Sequence, residues 1–523
     1  KTRDMSTLKF PVGIETFSVV REEGFVYVDK TGFIHELISG GKYYFLSRPR
    51  RFGKSLFIST LQSFFEGRRD LFDDLAISSY PYDWEQYPVM RLNLVNVNTS
   101  SLDGLRSTLD AHLAEWEARY DVEENQFDYP QRFYRCIKRA FEKTGKKVVV
   151  LIDEYDKPLV ASLQNESLNR QFRDFLKPIY GTLKAADAYI RFAFISGVSR
   201  FSRMSIFSDI NNLTDISLSE KYAAICGITE EEMKTQCDAG INNLALSIGR
   251  DYDSTLQVLK RQYDGYHFTP GCPDIYNPFS LFSAFELKTL DNFWFATGTP
   301  TFLVRALRDS DVYLPDLLHD EADITELSDI DSYRTSSIGL LFQTGYLTIK
   351  GYNPDYETYI LGLPNVEVST GFFKDLLPEY MDMPKGKSLK EIRAFIKDVR
   401  DGDPESFLVR LRSFLADIPY ELSKCKPEIY FENNLYIIFK LMGFLVHSEY
   451  RTASGRIDLV VETDRFRYVM ELKLNDTAEN AMNQIDSKDY LVPFLCDGRK
   501  TFKMGVSFSS KTRNIDRWII KES

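Results

Sequence analysis

The stretch from Tyr43 to Phe57 constrains the fold of this chain more than any other. An apolar strand leads into a tight loop that ends in Gly53-Lys54-Ser55, and an amphipathic helix follows as far as Phe65. Strand, loop and helix in this order are typical of a phosphate-binding loop, in which amide groups at the helix start face an anion. The alternative is a plain helix N-terminus.

Six consecutive residues of this stretch are the predicted nucleotide ligands. We expect the Lys54 ammonium to reach the β- and γ-phosphates and the Ser55 hydroxyl to bind Mg²⁺. The loop departs from the common pattern G-x-x-x-x-G-K-[ST] because Arg48 occupies the first glycine position. Upstream, Tyr27–Thr31 is a candidate neighbour of the base or ribose, with simple packing as the alternative. The predicted nucleotide-binding loop residues are Arg51, Phe52, Gly53, Lys54, Ser55 and Leu56.

A second stretch supplies acidic residues. Residues 147–152, all apolar after Lys147, are typical of a buried parallel strand, and Asp153 and Glu154 follow directly. We expect Asp153 to bind Mg²⁺ and Glu154 to orient an attacking water. The alternative is a strand that ends in solvated carboxylates.

Strands and helices alternate through the first 220 residues, which predicts an α/β fold with a doubly wound parallel sheet. The strand predicted over 190–195 should lie between the phosphate loop and Asp153. Its polar end makes Ser196 a candidate sensor of the γ-phosphate or of water. Arg200 or Arg203 is a candidate arginine for stabilising the charge of a transferred phosphoryl group.

The length and composition of the chain limit its class. At 523 residues it exceeds a single core, and we expect domains at 1–220, 221–388 and 389–523, with the polar segment 383–389 as linker. No apolar run reaches the roughly 18–20 residues of a membrane span. The six cysteines are scattered, which suits reduced thiols. We therefore expect a cytoplasmic protein without a membrane partner, and a homo-oligomer is compatible with the sequence.

From about Lys221 the pattern changes to helices without intervening strands, as expected of a lid, and the predicted domain 221–388 combines this lid with a winged-helix-like region. Three aromatic turn clusters lie among them: 263–268, 276–280 and 292–298. These clusters suggest packing and no particular chemistry. A helix at 336–344 and a hairpin at 346–361 resemble a winged-helix unit. Because the hairpin carries little positive charge, we favour closure of the lid over contact with DNA.

The C-terminal segment gathers charged and polar side chains on two strands and two helices. Glu471 and Lys473 share one face of a predicted strand, and Asp458 is on the neighbouring antiparallel strand. Oxygen ligands hold a hard cation and an ammonium stabilises developing charge, so this set fits metal-dependent phosphodiester cleavage. Glu432 on the preceding helix would add a carboxylate, and Gln484 on the following helix would orient ligands. The alternative is an exposed hairpin with an incidental ion pair.

Two parts of the chain resemble known families. Residues 9–310 resemble the AAA-ATPase-like proteins of the Bacteroidetes type, and residues 390–523 are similar to the PD-(D/E)XK nuclease domains fused to them. The motifs that carry the resemblance are Tyr27–Thr31, Arg48–Ser55, Asp153–Pro158, Asn292–Gly298, Gly455–Asp458, Glu471–Lys473 and Gln484–Tyr490. The resemblance implies a P-loop ATPase of the AAA type, a lid, and a restriction-endonuclease-like α/β domain. Arg48 agrees with the family's own form of the loop.

The leading hypothesis is an ATP-binding and hydrolysing module that controls a Mg²⁺-dependent nuclease domain. Nucleic acid is the expected partner, with DNA as the expected substrate. The alternative is a non-catalytic switch, whose C-terminal domain only binds nucleic acid or a protein. The predicted catalytic residues are Glu154, Asp458, Glu471, Lys473 and Gln484. The predicted metal ligands are Ser55, Asp153, Glu432, Asp458 and Glu471.

Overall fold

The computed structural model of the chain contains a sheet of five parallel strands. They are β1 (Tyr43–Ser47), β2 (Val89–Asn93), β3 (Val148–Asp153), β4 (Ile190–Gly197) and β5 (Thr214–Asp215). Their spatial order is β2-β3-β4-β1-β5, so β4 separates β1 from β3 as predicted. Leu46 pairs with Ser196 and Ile152 with Ile195, which brings the carboxyl ends of three strands to one edge of the sheet.

Helices precede and connect these strands. They are α1 (Phe17–Glu22), α2 (Gly32–Gly40), α3 (Lys54–Phe65), α4 (Leu102–Tyr120), α5 (Tyr129–Thr144), α6 (Lys157–Ala161) and α7 (Glu166–Ala185). Every residue of β3 is buried, as a central parallel strand covered by helices requires. The predicted doubly wound α/β class is confirmed.

The first part of the predicted lid, residues 221–287, contains helices and two very short strands. Its elements are β6 (Ile228–Thr229), α8 (Glu230–Gln236), α9 (Asp238–Ile248), α10 (Tyr252–Tyr263), β7 (Ile275–Tyr276) and α11 (Pro278–Leu287). The antiparallel pair β6 and β7 was not predicted, because two residues are too few to show a periodic pattern. Phe10 and Val26, from the N-terminal segment, share one apolar core with Ile241, Leu259 and Phe285.

The region predicted as a winged-helix unit forms two helices and a three-stranded antiparallel sheet. It comprises β8 (Glu321–Ala322), α12 (Ile324–Ser328), α13 (Ile338–Thr344), β9 (Thr348–Asn353) and β10 (Thr358–Gly362), and β10 pairs antiparallel with both β8 and β9. Every residue of α13 is buried, and Gln343 donates to the carbonyl oxygen of Leu327 at 2.6 Å. Helix α13 is therefore a packing element, which agrees with the preference for lid closure over DNA contact.

The chain forms two units, residues 1–297 with 321–368 and residues 298–320 with 369–523. The division into 1–220, 221–388 and 389–523 stays a prediction. The structure describes residues 8–123, 127–200, 206–207, 210, 212–295, 304, 307–308, 313–314, 321–328, 337–381, 385–416, 427–441, 445–452, 455–494, 498–512 and 514–523. Of residues 380–381, 385–389, 427–432, 445–449 and 451 it describes the backbone alone.

Helix α14 (Val366–Met381) crosses from the first unit into the second, which is built from further helices and a mixed sheet. The elements are α15 (Lys385–Asp401), α16 (Pro404–Ala416), α17 (Pro427–Leu441), β11 (Leu445–Thr452), β12 (Gly455–Glu462), β13 (Phe466–Leu474), α18 (Ala478–Ser487), β14 (Lys500–Ser509) and β15 (Asn514–Glu522). Neighbouring strands follow chain order, and β13 and β14, joined through α18, form the parallel pair.

Two further findings concern the predicted linker and the possibility of a membrane-spanning helix. Helix α15 begins at Lys385, inside the segment 383–389 that was predicted as a linker, and the linker role stays a prediction. Lysine and glycine in a first helical turn are tolerated, since the amide groups at that end have no helical partner to lose. Within the described ranges, no helix is both long and apolar enough to cross a membrane.

Candidate functional site

The loop between β1 and α3 holds Lys54 inside the first unit. Gly53 has φ of 90°, a left-handed conformation that favours glycine, and α3 begins directly after it. The Lys54 ammonium donates to the carbonyl oxygens of Arg48 at 2.9 Å and Pro49 at 3.0 Å. Burial lowers the pKa of Lys54, while nearby Glu154 favours its charged form. The loop thus curls round a buried cation, the charge that a phosphate group requires.

Arg48, which replaces the usual first glycine, is 1% exposed. Its guanidinium donates to the carbonyl oxygens of Ser47 at 2.9 Å, Ser217 at 2.7 Å and Tyr222 at 3.1 Å. It also lies 4.0 Å from the ring centre of Phe268. Burial lowers the pKa of Arg48 to about 10. Arg48 therefore fastens the start of the loop to the segment that follows β5.

Arg48→Gly, which restores the common glycine, is expected to destabilise the first unit by about 3 kcal/mol or more, because several buried carbonyl groups lose their donor. Urea unfolding followed by circular dichroism measures the change. Arg51→Gly is the matched control, since Arg51 is exposed and has φ of 68°, which glycine adopts without strain. Equal unfolding midpoints for the two variants would contradict the structural role of Arg48.

Asp153 and Glu154 lie at the end of β3, where they were predicted. Asp153 is fully buried and accepts hydrogen bonds from the Ser196 hydroxyl at 2.9 Å and from the Arg91 guanidinium at 3.3 Å. Glu154 has φ of 50°, and its carboxylate lies 3.8 Å from the Lys157 ammonium. Burial raises the pKa of Glu154. One carboxylate is thus held rigidly and the other is partly exposed beside it.

The structure brings Ser196 to this edge but engages Arg200 elsewhere. The Ser196 hydroxyl contacts Asp153. In the sheet, Ser196 pairs with Leu46, the next-to-last residue of β1. The Arg200 guanidinium forms an ion pair with Asp215 at 2.8 Å, and its backbone N–H donates to Gln343 at 2.5 Å. A role for Ser196 or Arg200 in nucleotide chemistry stays a prediction. Arg203 lies outside the described residues, and Ser55 is half-buried at the start of α3.

Sequence reasoning missed Asp156, which organises the turn after β4. Its carboxylate is 1% exposed and accepts from the backbone N–H groups of Val198 and Ser199 and from the Ser199 hydroxyl. A Cβ at Gly197 would lie 2.5 Å from this carboxylate, so only glycine fits there without rearrangement. The signal was an additional acid three residues beyond Asp153. It could not be distinguished from a solvated carboxylate without the fold.

A cavity of about 60 Å³ lies beside the loop at Gly53. Tyr27, Val28 and Lys30, from the segment predicted to neighbour the base or ribose, line part of it. The remaining lining residues are Pro11, Val26, Phe52, Gly53, Leu56, Phe57, Ile225, Cys226, Gly227, Ile228, Pro278 and Phe282. The Lys30 ammonium pairs with Glu232 at 2.6 Å. The cavity is therefore apolar, with one paired cation at its wall.

The second unit brings Asp458, Glu471 and Lys473 together as predicted. Strands β12 and β13 pair antiparallel, and the Leu472 backbone N–H donates to Asp458 at 2.8 Å. Glu471 is 1% exposed, and one of its oxygens lies 3.0 Å from the Lys473 ammonium. Burial, and then the charge of Asp458, raise the pKa of Glu471 to about 7. Desolvation and mutual repulsion thus disfavour full ionisation of both carboxylates at once.

Two other predicted residues of this site have different outcomes. The Gln484 side chain donates to the Tyr490 hydroxyl at 3.3 Å, and Tyr490 in turn donates to the carbonyl oxygen of Arg456 at 2.7 Å. Gln484 therefore belongs to a network that fixes the start of β12, and its catalytic role stays a prediction. Glu432 is on α17, but its side chain lies outside the described residues.

The raised pKa of Glu471 has a consequence for stability. The folded protein holds this proton more tightly than the unfolded chain, so stability should fall as pH rises from 4.5 to about 7 and then level off. Glu471→Gln should lose this dependence and exceed wild-type stability at pH 8 by roughly 1–3 kcal/mol. Thermal unfolding between pH 5 and pH 8 measures it, with exposed Glu479→Gln as control. A wild type that gains stability over this range would contradict the assignment.

One oxygen of the Asp458–Glu471 carboxylate pair is suited to binding a divalent cation. Oxygen Oε2 of Glu471 is buried and has no hydrogen-bond partner among the described residues, and such an oxygen is a ligand for a hard cation. Asp458 would supply a second ligand. In the described part of the chain, no group of three or more His, Cys, Asp or Glu side chains is arranged to hold a metal ion. Among the described side chains the pair thus supplies two ligands, and Glu432 stays a predicted third.

Comparison with known proteins matches both parts of the chain. Residues 11–207 match the family model described as Predicted AAA-ATPase, and residues 426–518 match the PD-(D/E)XK nuclease superfamily. An uncharacterized protein in the vnfD 5′ region of Azotobacter chroococcum mcd 1 is 34% identical over 530 residues, which is 99% of each chain. The chain therefore belongs to the AAA-ATPase-like family, with a C-terminal domain of the PD-(D/E)XK nuclease superfamily.

Proposed function

We propose that the first unit binds and hydrolyses ATP. The observation that carries the proposal is the buried ammonium of Lys54 at the sheet edge where Asp153 and Glu154 end β3. On binding, Lys54 would exchange its two loop carbonyl oxygens for β- and γ-phosphate oxygens. Ser55 and Asp153 would hold Mg²⁺, and Glu154 would orient the attacking water. Mg²⁺, when bound, supplies charge neutralisation at this site and at the nuclease site.

The cavity beside Gly53 supports adenine as the base. Its described lining is apolar and carries no carboxylate. A guanine base offers N–H groups, and a carboxylate usually accepts their hydrogen bonds. An apolar wall suits the flat, weakly polar face of adenine.

We further propose that the second unit cleaves phosphodiester bonds of DNA. Asp458 and Glu471 would hold Mg²⁺, and the Lys473 ammonium, 3.0 Å from Glu471, would stabilise the nucleophile or the developing phosphate charge. The buried, unpartnered oxygen of Glu471 supports this assignment, because most buried polar atoms in proteins are hydrogen-bonded and this oxygen stays available to a cation. A cytoplasmic location and control of cleavage by the ATP state complete the proposal.

One assay tests the whole proposal. The full chain is incubated with linear, circular and single-stranded DNA and with RNA, each with and without ATP and Mg²⁺. Cleavage of DNA that requires Mg²⁺ and changes with ATP is the expected result. Nucleic-acid binding without cleavage, together with ATP binding, would favour the non-catalytic switch instead.

A further inference from the structure

The three aromatic clusters, to which the sequence assigned no chemistry, all contact the phosphate loop. The Phe52 ring packs edge-on against Tyr266 at 4.8 Å and Phe268 at 5.4 Å between ring centres. The Arg51 guanidinium lies 4.6 Å from the Phe279 ring centre. The third cluster contributes Trp294. The loop is thus held by side chains from a region more than 200 residues further along the chain.

Trp294 makes the most directional of these contacts. Its indole N–H donates to the carbonyl oxygen of Arg50 at 3.3 Å, and the side chain is almost fully buried. Its backbone N–H donates to buried Glu367 at 2.8 Å, and its ring packs against Tyr346 at 5.3 Å. The indole is therefore held by its hydrogen bond to Arg50 and by packing against Tyr346, and the Trp294 backbone is anchored to Glu367.

A fixed carbonyl orients the amide that follows it. The peptide unit is planar, so the Arg50 carbonyl and the Arg51 N–H point in opposite directions from one rigid plane. A hydrogen bond that holds the carbonyl toward Trp294 consequently holds the Arg51 N–H toward the opposite side. Arg51 opens the run of residues whose amide groups are expected to face phosphate.

We propose that Trp294 is a positioning residue for nucleotide phosphates, acting through the Arg50–Arg51 peptide. This inference rests on the proposed ATP-binding function. Trp294→Phe keeps an aromatic ring and removes the N–H donor, so the peptide can rotate. ATP affinity should then fall about tenfold, because one oriented amide is lost from the loop.

Calorimetry of the full chain with ATP and Mg²⁺ tests the inference. Trp116→Phe is the matched control, because Trp116 is a buried tryptophan of the same unit in α4, and its affinity should equal that of wild type. Wild-type affinity in Trp294→Phe would overturn the inference and leave the proposed function standing. Absence of ATP binding by the wild type would refute the proposed function, and the inference with it.

A second measurement does not need Trp294→Phe to fold. The wild-type chain, labelled with 5-fluorotryptophan, gives four fluorine NMR signals, one for each tryptophan. Variants Trp84→Phe, Trp116→Phe and Trp518→Phe assign three signals and leave that of Trp294. Saturation with ATP and Mg²⁺ should shift the Trp294 signal. An unmoved Trp294 signal in protein that binds ATP would overturn the inference.

Discussion

Lys54→Ala is expected to lower ATP affinity by at least 100-fold. The ammonium is the buried cation of the loop, and a unit charge about 4 Å from a phosphate oxygen contributes roughly 4 kcal/mol at an effective dielectric constant near 20. Losing even two-thirds of that energy corresponds to about 100-fold. Isothermal calorimetry with ATP and Mg²⁺ on the full chain measures the change directly.

Two variants show whether the loss belongs to the phosphate site. Lys42→Ala removes a lysine just ahead of β1 that pairs with Asp187 at 2.6 Å, and its ATP affinity should match that of wild type. Glu154→Gln should retain tight ATP binding and lose turnover, because it removes the group that orients water but leaves Lys54 in place. Tight ATP binding by Lys54→Ala would place the nucleotide elsewhere in the protein.

The parts of the site that follow from strand geometry could be predicted from the sequence. Carboxyl ends of parallel strands meet at one edge, so a polar residue at the carboxyl end of each strand identifies that edge, as Ser196 and Asp153 do. Alternation along a strand places residues two apart on one face, which is why Glu471 and Lys473 meet. In both cases the spacing of a few residues along one strand contains the information.

The parts that depend on long-range packing could not be predicted. Arg48 looks like a loop arginine open to solvent or phosphate, but its partners Ser217 and Tyr222 are about 170 residues away in the chain. Likewise, nothing local in the cluster around Trp294 indicates that its indole reaches Arg50. A helix can read DNA only if one of its faces is exposed. Every residue of α13 is buried by tertiary contacts, which the local sequence does not show.

Asp458→Ala is expected to remove Mg²⁺-dependent DNA cleavage, with a loss of roughly 10³-fold or more. A metal ligand contributes several kcal/mol to stabilisation of the transition state, and each 1.4 kcal/mol is a factor of about ten in rate. The substitution also removes the acceptor of the Leu472 backbone N–H, so β13 loses a local constraint beside Glu471. Cleavage of labelled DNA over a series of Mg²⁺ concentrations measures the loss.

The controls separate loss of chemistry from loss of fold. Asp464→Ala changes an exposed aspartate between β12 and β13 and should cut DNA at the wild-type rate. Asp458→Asn keeps an acceptor for Leu472 but carries no charge, so it should preserve the fold and still abolish cleavage. Because Asp458 raises the pKa of Glu471, either substitution at 458 should also move that pKa back toward its ordinary value. Undiminished DNA cleavage by Asp458→Asn, together with an unchanged pKa of Glu471, would show that the active site is not on β12 and β13.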